Sequence, residues 1–85
     1  MATTSNYTVP ANQYVQVAIG NGEVLVEVGF GSSGAYIVVA PTTPAAGFIG
    51  HQVDIGEVAP ISAPGGPVWA RASTSGQTAT IVVTE

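Results

Sequence analysis

Pro67-Val-Trp-Ala-Arg-Ala-Ser-Thr-Ser-Gly-Gln-Thr-Ala-Thr-Ile-Val-Val-Thr-Glu85 closes this chain, and its apolar residues alternate on both sides of Ser75-Gly76. Val68, Ala70 and Ala72 form one set before the turn signal, and Ala79, Ile81 and Val83 form another after it. A period of two belongs to an extended strand, whose successive side chains point to opposite faces. The stretch therefore reads as two strands, Pro67 to Thr74 and Gln77 to Thr84. A two-residue loop at Ser75-Gly76 would make them a hairpin, with Ala72 opposite Ala79, Ala70 opposite Ile81 and Val68 opposite Val83.

The same period recurs upstream. Tyr14 to Ile19 and Glu23 to Phe30 flank Gly20-Asn21-Gly22, and Asn-Gly is a strong short-hairpin signal because both central residues must take positive φ. A two-residue loop there pairs Ile19 with Val24, Val17 with Val26 and Val15 with Val28, while Gln16 faces Glu27 on the other side. Ala35 to Ala40 and Gln52 to Val58 read as two further strands. Pro41-Thr-Thr-Pro-Ala-Ala-Gly47 and Ala59-Pro-Ile-Ser-Ala-Pro-Gly-Gly-Pro67 are too rich in proline for central strands and read as loops. Residues 1–12 read as a polar arm without an alternating core pattern, and residues 13–85 as one β domain. The expected fold is all-β, a small antiparallel β-sandwich or barrel of about six strands. No helix of ordinary length fits, and no internal repeat is present.

Arg71 is the only fixed positive charge in 85 residues, beside the carboxylates Glu23, Glu27, Asp54, Glu57 and Glu85. Charged residues are 7% of the chain and hydrophobic ones 46%, whereas ordinary soluble domains carry about a quarter charged residues. A surface of hydroxyl, amide, glycine and apolar groups is easily desolvated by other protein, which suits a subunit packed against neighbours. A domain this small has a thin stability margin, and without cysteine no disulfide or thiolate metal site can supplement it. Self-association is thus the expected extra source of stability. A net charge of −4 with one arginine cannot neutralise a row of phosphates, which argues against nucleic acid as a partner. The longest apolar run, Ala35 to Ala40, is strand-sized rather than membrane-spanning. Met1-Ala-Thr-Thr-Ser5 lacks the basic and apolar regions of a secretory signal, so synthesis in a cytoplasm is expected.

Several motifs carry little chemistry. Gly29-Phe-Gly31-Ser-Ser-Gly34 matches a dinucleotide fingerprint, but a strand pattern follows it, so no helix N-terminus is expected to hold a pyrophosphate. His51, Asp54 and Glu57 could suggest a metal or acid–base cluster. On an extended strand Asp54 and Glu57 would point to opposite faces, and no second histidine or cysteine completes a site. No Gly-x-Ser-x-Gly elbow is present. Pro41-Thr-Thr-Pro44 lacks the flanking basic residue of a P-x-x-P ligand, and the sequon Asn6-Tyr-Thr8 has no secretory signal to give it meaning. No catalytic residue, metal or cofactor is expected, and the chain reads as a non-enzyme. Trp69 and Arg71 share a strand face and belong to residue types enriched at interface hot spots, although a tryptophan in a small β protein more often belongs to the core.

The closing segment, about the last 20 residues, resembles that of small tailed-bacteriophage capsid decoration (cement) and head accessory proteins. The rest of the chain is similar to them in general character, being short, lysine-free and rich in Thr, Ala, Gly and Val, with a polar start. The resemblance implies a virion structural protein on the capsid surface, often a homotrimer, whose partners are copies of itself and the major capsid protein. Contacts are then expected from Tyr7 and Val9 of the arm, Pro41 and Pro44 of the first loop, and Pro60 and Pro64 of the second. Trp69 and Arg71 of the closing stretch complete the expected interface. Phage fibre and tail modules share this character. A carbohydrate-binding module would draw an aromatic platform from Tyr7, Tyr14, Tyr36 and Trp69, and an ice-binding surface would use Thr78, Thr80 and Thr84.

Overall fold

The computed structural model describes residues 3–20, 22–30, 33–62 and 65–85. They form eight strands, β1 (Thr4–Pro10), β2 (Val15–Ala18), β3 (Val24–Val28), β4 (Ala35–Val39), β5 (His51–Val53), β6 (Val58–Ile61), β7 (Val68–Ala72) and β8 (Thr78–Thr84). One sheet has the order β1-β8-β3-β6 and the other β2-β7-β4-β5, with every neighbouring pair antiparallel. Two four-stranded sheets that exchange the chain repeatedly between them make a jelly-roll sandwich. The all-β sandwich expected from the sequence is thus present, with eight strands in place of about six.

Neither expected hairpin forms. β7 and β8 lie in different sheets, as do β2 and β3. A turn does occupy Ser75-Gly76, but the strands it joins belong to different sheets. Gln77 N–H donates to the Thr74 carbonyl at 3.1 Å, and Gly76 at the third turn position has φ 77°. Glycine takes that conformation without steric cost, and the turn carries the chain from one sheet to the other. Val68, Ala70 and Ala72 therefore meet Ala79, Ile81 and Val83 across the core, not side by side; all six are buried. In the first case Asn21 lies outside the described residues, and the strands on its two sides, β2 and β3, belong to different sheets.

Three further expectations are corrected. Residues 4–10 are not a loose arm: β1 pairs with β8 from Thr4 opposite Thr84 to Pro10 opposite Thr78, and Val9 is fully buried. Its short apolar set, Tyr7 and Val9, is too sparse beside Thr, Ser and Asn to read as a strand. The expected strand Gln52 to Val58 is broken by a turn at 54–57, closed by Glu57 N–H on the Asp54 carbonyl at 3.0 Å. The expected loop Ala59 to Pro67 begins inside β6, where Pro60 stands opposite Leu25 on the outermost strand of its sheet. An edge position leaves proline's missing N–H without a ladder partner to lose.

The core is made almost wholly of Val and Ala. Among its fully buried members Ile81, Val9, Val17, Val24, Val26, Val28, Val68 and Val83 are the largest. Both phenylalanines stand outside it, Phe30 being 92% exposed. The small core is consistent with a protein that leaves apolar area for contacts beyond its own fold.

Candidate functional site

Two features of the surface stand out chemically: a tyrosine–arginine clasp on the outward face of the second sheet, and the free edge of β1. The clasp follows from strand register. Tyr36 on β4 lies opposite Arg71 on β7, and Val15 lies opposite Ala70, which sets Tyr14 beside Arg71 on the other flank. The guanidinium carbon sits 4.6 Å from the Tyr36 ring centroid and 5.4 Å from that of Tyr14, within cation–π range. Its terminal nitrogens donate to the carbonyls of Ala11 (3.4 Å), Ala72 (3.3 Å) and Phe48 (3.3 Å). Nε is buried without a partner among the described residues, and no carboxylate there forms an ion pair with Arg71.

The clasp holds the connection 40–50 against the sheet. Tyr14 donates its hydroxyl to the Phe48 carbonyl at 2.6 Å, and Trp69 Nε1 donates to the Ala40 carbonyl at 2.9 Å. One tether grips each end of a loop that leaves Phe48 and Ile49 largely exposed. Replacing Tyr14 by phenylalanine keeps the ring beside Arg71 and removes only the hydroxyl. Because Arg71 still reaches the Phe48 carbonyl, the expected loss is about 1 kcal/mol, a fall in Tm of roughly 4–8 °C by thermal circular dichroism. An unchanged Tm would mean that the short hydroxyl contact adds nothing to the loop's docking.

The four sheet edges are unequal. β5 has three residues, β2 is four residues long with its register shifted between Gln16 and Ala18, and β6 carries Pro60. Short length, bulges and proline are the devices that discourage an edge from accepting another strand. β1 has none of them over Thr4 to Val9: it is seven residues long, carries no charge, and meets proline only at its last position. Thr3 and Glu85 exchange both backbone hydrogen bonds, at 2.9 and 3.1 Å. Alternation along an antiparallel ladder then directs the N–H and C=O of Thr4, Asn6 and Thr8 away from β8, to the free side.

The structure disperses the interface residues expected from the sequence. Val9 is core and cannot touch a partner while the sandwich stays closed; Tyr7 packs partly against that core from the same strand. Pro41 and Pro60 are exposed, Pro44 is half-buried, and Pro64 lies outside the described residues, as do Gly31 and Ser32 of the glycine-rich match. Trp69 and Arg71 are half-buried on the outward face of the second sheet. Trp69 thus lies outside the fully buried core. In the acidic turn Glu57 Oε1 accepts the Asp54 N–H at 2.9 Å, so the two carboxylates do not sit on opposite strand faces as expected. No group of three or more potential metal ligands occurs among the described residues. Sequence reasoning misses Tyr14 and Tyr36 as partners of Arg71. The signal would be the β2-β7-β4 order, which no local pattern encodes.

No protein-family model matches the chain, and no curated protein matches it. Among solved structures, a subunit from "Bacillus endospore appendages form a novel family of disulfide-linked pili" is similar, with a TM-score of 0.60 and 14% identity. The match covers 99% of this chain and 81% of that one. At that identity the likeness supports the two-sheet fold. The disulfide linkage of those pili has no counterpart here, since these 85 residues contain no cysteine.

Proposed function

We propose that this chain is a non-enzymatic structural subunit that assembles with other protein chains, first of all copies of itself, by strand addition at the edge of β1. The observation that carries this reading is the long, uncharged and proline-free edge at Thr4 to Val9 in a fold whose other three edges are short, bulged or interrupted. Scarcity of charge supports it, because repeated copies then accumulate little repulsion while many weak contacts add up. Pairing of β1 with β1 would close a two-fold dimer. Pairing of β1 with a different edge would give a ring, such as the trimer the phage-protein resemblance implies, or a filament.

The finer reading is a decoration protein on the outer surface of a phage head, with the major capsid protein as partner. It rests on the resemblance of residues 67–85 and on the frequent use of jelly rolls in capsids. Cosedimentation with empty heads tests it: retention on heads supports a cement role, and self-assembly without head binding favours a fibre or appendage role.

Asn6→Pro tests the assembly mechanism. The Asn6 N–H faces the free side of β1, so proline there removes a donor from the docking edge without breaking a bond to β8. The wild-type chain is expected to show a discrete oligomer or polymer by native mass measurement and negative-stain microscopy. The variant is expected to stay folded by circular dichroism and to lose that association at least about tenfold, the equivalent of roughly 1.4 kcal/mol. A wild type that remains monomeric, or a variant that assembles equally well, overturns the proposal.

A further inference from the structure

We propose that the cleft in front of Arg71 binds a carboxylate-bearing sugar, a single uronic-acid-type residue of a glycan. The cleft measures about 340 Å³ and opens between the β1–β2 corner, the β7–β8 turn and residues 47–49. This lies at the lower end of the range for small-molecule sites and suits one sugar ring. Arg71, Tyr36, Asn12, Ser73, Ser75 and Ile49 line it.

Charge selects the first requirement. Arg71 is the one permanent cation of a chain with net charge −4, so an anion is attracted here and repelled elsewhere. Its positive charge is met by two tyrosine faces and three carbonyls at 3.3–3.4 Å, with no carboxylate paired to it among the described residues. Both N–H groups of one terminal nitrogen are committed to Ala11 and Ala72, and the unpartnered Nε is buried, whereas the other terminal nitrogen donates only to Phe48 in an exposed setting and keeps one N–H for a ligand. A single such donor beside no second cation matches a singly charged carboxylate better than a doubly charged phosphate.

The rim selects the second requirement. Asn12 and Ser75 are exposed, neutral, and without side-chain hydrogen-bond partners among the described residues. Ser73 reaches only the Ser33 hydroxyl, at a long 3.4 Å. Three neutral groups that both donate and accept suit ring hydroxyls, while Tyr36 and Ile49 offer apolar surface to the C–H side of a sugar. This proposal does not depend on assembly through β1, which lies in the other sheet.

The test is an NMR titration of the isotope-labelled chain with glucuronate, using glucose and acetate as controls. Glucuronate is expected to shift the amides of Asn12, Gly47, Ser73 and Ser75 with Kd on the order of 1 mM, and each control to bind about tenfold more weakly or worse. Asn12→Ala combined with Ser75→Ala removes rim groups that hold no described contact. The double variant is expected to keep its Tm and lose most of the glucuronate affinity, while acetate binding stays as it was. Arg71→Lys should lose affinity too, but it also loosens the clasp and counts only beside the rim variant. Equal binding of glucose and glucuronate, undiminished binding by the rim variant, or no saturable shift overturns the assignment. If glucuronate gives no shift while Arg71→Lys reduces self-association, the cleft takes a carboxylate of a second copy, and the sugar reading is wrong.

Discussion

Gly20→Ala is expected to destabilise this protein severely, to the point that little folded chain survives at 37 °C. Gly20 is buried where the chain leaves β2 for the other sheet, with φ 84°. A β-carbon placed there would sit 1.8 Å from the Gly66 carbonyl oxygen and 2.7 Å from its carbon. The left-handed backbone alone costs an alanine about 1–2 kcal/mol. The overlap is with backbone, so the chain at Ile19-Gly20 or the segment entering β7 must move as a unit. Both are anchored nearby, Ile19 and Gly20 by N–H bonds to the Glu85 carboxylate at 3.4 Å, and Pro67 by its carbonyl to the Ala40 N–H at 3.1 Å. We expect a total loss above about 3 kcal/mol, against a global stability of roughly 4–13 kcal/mol for a chain of this size. Thermal unfolding should fall by about 15 °C or more. A Tm within about 3 °C of wild type would show that the chain at Gly20 is far looser than the contact implies.

Ile81→Ala should be the most damaging of the simple core truncations. Ile81 is the largest fully buried side chain, placed in the ladder between Tyr7 of β1 and Val28 of β3 and facing the second sheet. Truncating such a side chain to its Cβ costs about 2–5 kcal/mol, the upper part of the range applying where neighbours cannot close the void. Valines branched at Cβ have restricted side-chain conformations, and valine is the commonest residue of the buried cluster. Urea unfolding should show a lower midpoint with an unchanged m-value. A loss below about 1 kcal/mol would mean that the sheets collapse onto the cavity. Ile81→Val, by comparison, should cost only about 1 kcal/mol.

Strand-by-strand legibility follows the strength of the local signal. The alternation of Val24, Val26 and Val28, and of Ala79, Ile81 and Val83, locates β3 and β8 because each apolar residue does face the core. β1 stays hidden because only Tyr7 and Val9 turn inward, the rest of the strand being mostly Thr, Ser and Asn on an exposed face. β5 and β6 are fused or lost because they are three and four residues long, too short for a period of two to be distinct. The expected pairings fail for an instructive reason. Matched apolar sets on two strands joined by a short turn satisfy a hairpin, and they satisfy two strands facing each other across a sandwich just as well. Long-range pairing decides for the sandwich, β7 lying between β2 and β4 and β8 between β1 and β3, and the dipeptide Ser-Gly does not reveal that.

The candidate sites divide in the same way. Arg71 is legible as an isolated cation, and the shortage of charge is legible as a surface suited to contact, because both are properties of composition. That Arg71 lies between Tyr14 and Tyr36, that the 40–50 connection folds back onto it, and that β1 offers a free edge depend on which strands neighbour which. Alternation, turn location and charge are local, and they suffice to specify an all-β chain with a thin aliphatic core and one cation. Sheet order comes from long-range pairing, in which residues as distant as Thr4 and Thr84 must meet, so the partner of each strand and the surfaces left over emerge from the packed fold alone.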